Sequence, residues 1–302
     1  MNFSSNLLKP STFNDRMEPS CYEEEKMKKL FKVFFVLMLT VALAACGSSE
    51  TPSPGDESQA PAEEQANTTE TTETSGEGSL IVGLEAGFPP YEYIGDNGDI
   101  VGIDIDISQK IADKLGRELE IKDMDFDGAL LAVQSGKVDM VASGVSVTPE
   151  REEQMDFSER YVDSTEVVVV NANGPAVEAP TWEALEDKII GVQQGNIADI
   201  QVSNPENVNP TEVKRYTKFV QATEDLKNNK IDCIVMDQLP AEELVGANEG
   251  ELMILEGDPL FVDQYAIAVE KGNTELLEAI NEVIIELKES GELDEIIAAH
   301  SN

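Results

Sequence analysis

MDFDGALLAVQSGKVDMVASGVSVTPEREEQMDFSERY, from Met124 to Tyr161, sets a helix, a strand and a polar loop in quick succession. Small and apolar residues over Gly128 to Gln134 suit a helix, and Met140 to Ala142 reads as a short buried strand. After Ser143, Gly144, Val145 and Ser146 come Thr148 and Pro149, a hydroxyl residue and a proline in the order of a helix N-cap and first helical position. Arg151 then falls in the first turn, where free N–H groups and the helix dipole favour an anion and disfavour a guanidinium unless an anion accompanies it. The bland alternative is a surface Arg paired with Glu150 or Glu153.

The same alternation extends in both directions. Upstream, Leu80 to Leu84 is a strand, Ile105 to Leu115 a helix with apolar residues at Ile107, Ile111 and Leu115 closed by Gly116, and Leu119 to Ile121 a strand. Downstream, strands are expected at Val167 to Val170, Ile189 to Val192, Lys214 to Tyr216, Ile231 to Met236 and Tyr265 to Val269. Helices are expected at Ala198 to Val202, Thr223 to Asn228, Glu275 to Lys288 and Leu293 to Ala299. Strand-helix alternation predicts an α/β fold with mostly parallel sheets covered by helices, and a chain of this length supplies two such lobes.

The 302 residues carry 60 Asp and Glu against 21 Lys and Arg, a formal charge of -39, so a phosphate backbone is repelled and nucleic acid is excluded as a principal partner. His300 is the single His, and Cys21, Cys46 and Cys233 lie far apart with no CxxC or HExxH spacing. Zinc sites, Ser-His-Asp triads and Cys-His dyads have almost nothing to be built from, and no metal or cofactor is expected.

From Met27 the chain reads MKKLFKVFFVLMLTVALAACGSS: Lys28, Lys29 and Lys32, an apolar run from Val33 to Leu43, then small residues. That is the order of a secretory signal peptide, with an apolar run short for a membrane span. Leu43-Ala44-Ala45-Cys46 resembles the lipobox of bacterial lipoproteins, which implies cleavage before Cys46 and a lipid on its sulfur. Residues 1–45 are thus expected to be removed, with Met27 fitting the true start. Residues 46–78, rich in Ser, Thr, Pro and Glu, form an acidic tether too poor in apolar surface to order itself.

FPPYEYIGDNGDIVGIDIDISQKIADKLG (Phe88 to Gly116), the stretch quoted first, IIGVQQGN (Ile189 to Asn196), KIDCIVMD (Lys230 to Asp237) and DQYAIAVEKGN (Asp263 to Asn273) together resemble the family 3 extracellular solute-binding proteins, the amino-acid receptors of bacterial ABC importers. The resemblance implies a periplasmic-binding-protein-like clamshell of type II, lobe 1 comprising 79–162 plus 264–302 and lobe 2 comprising 163–263. Two crossings are expected near Tyr161 to Thr165 and Phe261 to Tyr265, with ligand in the cleft. It further implies Arg151 as a bidentate clamp on the ligand carboxylate assisted by Ser143, Gly144 and Ser146, and Asp237 as acceptor of the α-ammonium. Glu85 matches an acidic contact, Phe88 and Phe126 the aromatics that sandwich the side chain, and Gln193 and Asn196 stand in the second lobe's loop. Ile197 departs from the hydroxyl residues common there. Asp104 reads as tying down a loop.

The implied function is a non-enzymatic, lipid-anchored monomer on the outer face of the membrane. It would capture a polar or cationic L-amino acid and deliver it to the permease. The competing readings are a cyclohexadienyl dehydratase on the same fold, which would need an acid-base group that no His supplies, and the sensing domain of a receptor.

Overall fold

The computed structural model describes Gly78 to Ser301. The signal region, Cys46 and the tether before Gly78 lie outside the described residues.

Five strands build the first sheet in the order β5 (Glu118–Asp123), β1 (Ser79–Leu84), β6 (Met140–Val141), β14 (Ala268–Glu270), β7 (Met155–Phe157). The second runs β10 (Glu212–Tyr216), β9 (Ile189–Gln193), β11 (Cys233–Asp237), β8 (Val162–Asn171), with β12 (Leu252–Ile254) and β13 (Phe261–Tyr265) pairing successive segments of β8. A ribbon of β2 (Gly87–Phe88), β3 (Glu92–Ile94) and β4 (Ile100–Val101) stands apart. The fold is the expected two-lobed α/β clamshell, and each sheet is mixed. β5, β1 and β6 are parallel, as are β10, β9 and β11, whereas the pairs made by β8 and β14 are antiparallel. Those are the strands that follow the two crossings, so the chain enters each sheet there against the direction set by its strand-helix-strand units.

Helices α1 (Ile103–Leu115), α2 (Phe126–Gln134), α3 (Pro149–Glu152), α4 (Ile197–Val202), α5 (Phe219–Lys227), α6 (Gln238–Gly246), α7 (Thr274–Ser290) and α8 (Glu292–His300) cover the sheets. Ile103, Ile107 and Ile111 make the buried stripe of α1 and share a core with Ile280, Ile284 and Leu293, each such side chain stabilising the fold by about 1.5–3 kcal/mol. Gly116 ends α1 in the left-handed conformation, φ 65°, that a C-cap favours. In β8 the run Val167 to Val170 is buried on both faces: Val168 and Val170 pack with Ile190 and Ala198, Val167 and Val169 with Phe219 and Leu226.

The strand expected from Tyr265 to Val269 is two strands in different sheets. Tyr265 ends β13, and β14 begins at Ala268, because the chain passes from the second sheet back to the first between them. β13 pairs antiparallel with the first half of β8, Tyr265 opposite Val162 and Phe261 opposite Glu166, so the outward and return crossings lie side by side. Cys233 is a buried core thiol, its pKa pushed up by burial.

Candidate functional site

The carboxyl ends of β1, β6, β9 and β11 converge on one narrow, nearly closed cavity between the sheets. Nine of the ten expected binding residues line it: Glu85, Phe88, Phe126, Ser143, Gly144, Ser146, Gln193, Asn196 and Asp237. Glu92 and Ile197 complete the lining.

Arg151, the tenth, stands at its edge. Thr148 caps α3 as expected, its Oγ1 accepting from the Arg151 backbone N–H at 3.2 Å. The guanidinium is not a solvated surface charge paired with Glu150 or Glu153. It is 7% exposed, donates from Nη1 to the Ser146 carbonyl (2.6 Å) and from Nη2 across the cleft to the Gly195 carbonyl (2.8 Å), and lies 5.7 Å from the Phe126 ring centre. Burial lowers its pKa to about 10, which leaves it cationic at neutral pH. With only four residues, α3 adds little dipole, so the affinity of this corner for an anion rests on the guanidinium itself.

The loop that holds this corner is tightly tied. Asp104 accepts from the Gly144 N–H (2.9 Å) and from the Tyr161 hydroxyl (2.6 Å), and burial pushes its pKa up to about 6. The Gly144 N–H is therefore committed to the protein. A side chain at Gly144, φ 54°, would meet the Phe88 ring at 2.8 Å, so glycine is required for the aromatic to reach the cleft. Ser143 donates to Glu92 (2.5 Å) and accepts from the Glu85 N–H (3.2 Å). Burial, reinforced by Asp104, holds the Glu92 carboxyl well above its usual pKa.

On the opposite side, Asn196 caps α4, with Oδ1 accepting from the Asp199 N–H at 2.9 Å. Its Nδ2 is buried without a partner, an unused donor on a residue that lines the cavity. Asp237 is 3% exposed and accepts from Ser164 (3.0 Å) and from the Tyr265 hydroxyl. Burial raises its pKa against those donors.

Glu85, 1% exposed, has partners that its sequence neighbourhood does not reveal. Lys218 reaches it at 2.7 Å and Gln193 Nε2 donates to it at 3.0 Å, both from the second sheet's side of the cleft. Burial still raises the Glu85 pKa, with Lys218 and Gln193 opposing. Phe88 stacks on Tyr91 and Phe219, centroids 5.7 and 6.1 Å apart, so it belongs to the core as well as to the cleft. The residues missed from sequence are Glu92 and Lys218. Lys218 sits two residues beyond the end of β10, the strand-end position that singled out Glu85 and Asp237.

Residues 80–301 match the bacterial extracellular solute-binding proteins, family 3. The arginine-binding protein of T. maritima, in its P235GK mutant form, superposes with a TM-score of 0.69 at 40% identity, over 74% of this chain and 94% of the other. An ancestral arginine-binding protein bound to glutamine gives 0.67 at 37% identity, over 74% and 98%. The arginine-binding extracellular protein ArtP of Bacillus subtilis is 31% identical over 281 residues, 89% of this chain and 96% of its own. Two lobes closing on a small polar cavity define a binding protein of the clamshell class. The chain belongs to the family 3 bacterial extracellular solute-binding proteins, which makes it an extracytoplasmic binding protein and not a dehydratase.

Proposed function

We propose that this protein captures a polar or cationic L-amino acid between its lobes and delivers it to the transmembrane subunits of an ABC importer. The observation that carries the reading is the pairing of opposite charges around one cavity: Arg151 and the unpartnered Asn196 amide for a carboxylate, Asp237 for an ammonium. Glu85 and Asp237 make the charged side chains that line the cavity acceptors, which weighs against glutamate or aspartate, whose second carboxylate would need a further donor there. The relatives described above, named for arginine or holding glutamine, support the same choice. The lobes divide as 79–162 plus 264–302 and 163–263, and the protein acts as a monomer.

Titration calorimetry with the free L-amino acids tests this directly. One or a few polar or basic amino acids should bind, glutamate and aspartate should not, and small-angle scattering should show a smaller radius of gyration with the binder, as expected when ligand contacts favour the closed state. Absence of binding by every amino acid would defeat the reading.

The anchor is part of the same proposal. A lipid on Cys46 would hold the protein at the membrane through the acidic tether. Cys46→Ala should release the protein into the medium or leave its precursor uncut, as read by fractionation and mass. Unchanged size and membrane retention would remove the anchor from the account.

A further inference from the structure

Behind Asp237 lies a group for which amino-acid capture, as set out so far, has no use. Glu166 on β8 stands opposite Asp237 of β11 in the sheet register and is 0% exposed. Both of its carboxylate oxygens are buried, and neither has a hydrogen-bond partner. Oxygens of Glu166, Asp237 and Asp263 lie within 4.8 Å of one another, and both Asp263 oxygens are likewise buried without a partner. The groups facing Glu166 are Asp237 from β11 and Asp263 and Tyr265 from β13, none of them a cation. Among the described residues the cation in the neighbourhood is Arg151, which acts on Asp237 and Asp263.

Three ionised carboxylates packed this closely out of water cannot be sustained by one guanidinium, because an unpaired buried charge takes up a proton instead. Ser164 and Tyr265 already donate to one Asp237 oxygen, so Asp237 is the member supplied with donors; Glu166 and Asp263 have none, but Arg151 acts on Asp263, which leaves Glu166 as the member with neither a donor nor a cation. We infer that Glu166 is a positioning residue that carries a proton at neutral pH and shares it with Asp237, fixing Asp237 as the charged acceptor at the cleft. Burial and the neighbouring Asp237 both push the Glu166 carboxyl up, in agreement.

Two effects of opposite sign follow. An acid whose pKa is higher in the folded chain than in the unfolded one contributes stability that is complete below the unfolded value, about 4.5, and is lost as pH rises toward the folded value. An ammonium arriving at Asp237 favours the ionised form of the pair, so ligand binding releases protons and tightens as pH rises. The first effect stands on the fold alone, and the second rests on the amino-acid reading given above.

Glu166→Gln, which keeps the shape and a donor but cannot ionise, provides the test in the mature protein. Thermal melts from about pH 5 to pH 8 should diverge, the parent losing several degrees relative to the variant at the alkaline end and matching it at the acid end. Calorimetry in buffers of different ionisation heat should show proton release by the parent, with affinity rising by up to about tenfold per pH unit, and a flatter profile for Glu166→Gln. Coincident melting profiles for parent and variant overturn the inference, even if an amino acid binds tightly. Stabilisation of the ligand-free parent by calcium chloride, reversed by chelator and absent from Glu166→Gln, also overturns it, since a cation and not a proton would then neutralise the cluster. If the melts diverge as described but no amino acid binds, the proton on Glu166 stands and the proposed function falls.

Discussion

Arg151→Ala loses affinity for the bound amino acid by roughly thirty- to several-thousand-fold, the equivalent of about 2 to 5 kcal/mol for truncating one partner of a desolvated charge pair. Arg151→Lys weakens binding as well, since an ammonium keeps the charge and gives up the planar fork. From sequence, this side chain is expected to be hydrated in an open cleft and its loss to leave folding untouched. The structure corrects that expectation: the guanidinium is buried and joins the Ser146 carbonyl to the Gly195 carbonyl across the cleft. Arg151→Ala should therefore also melt lower, by about 2–4 °C for each kcal/mol lost in a chain of this size. Titration calorimetry with a thermal melt as companion separates the two effects. Binding within threefold of the parent, with the melt lowered, would make Arg151 a lobe-closing strut and move the carboxylate site to Asn196.

Lys218→Met should raise the preference for arginine over glutamine by roughly five- to thirty-fold. Glu85 is 1% exposed, and in the closed cleft the Lys218 ammonium occupies one of its oxygens while Gln193 donates to the other. A cationic ligand side chain reaching Glu85 must displace Lys218, whereas a neutral amide does not compete for the charge. With Met at 218, Glu85 is left short of a counter-charge that only a cationic ligand restores. The effect is kept moderate because the Lys218 side chain is 36% exposed and part of its attraction is screened. Affinities of parent and variant for the two amino acids give the ratio. A ratio that does not move would reduce Lys218 to a rim charge without influence on selectivity.

The site was legible in sequence to the extent that strand ends announce themselves. Glu85, Ser143 to Ser146, Gln193 and Asp237 each follow an apolar β-rich run, and in an α/β lobe those positions converge. Lys218 and Glu92 were not legible, because what makes them part of the site is a partner far along the chain, Glu85 for the one and Ser143 for the other. Glu166 is the sharpest case. In TEVVVV it precedes the run Val167 to Val170, buried on both faces, and reads as the last polar residue before the core, yet the antiparallel register of β8 against β11 sets it beside Asp237.

The local pattern by itself determined the helices with a one-sided apolar stripe and the caps at Thr148 and Gly116, because those features depend on neighbours within a few residues, and the order of strand, helix and strand then implied the parallel half of each sheet. It did not determine where a strand leaves one sheet for another. Tyr265 to Val269 is uniformly apolar, and apolarity records burial without recording in which sheet the burial occurs. Charge state was likewise beyond it. A Glu in a sequence is an anion by default, and only the tertiary structure, by removing water and bringing Asp237 and Asp263 to Glu166, makes the neutral acid the cheaper form.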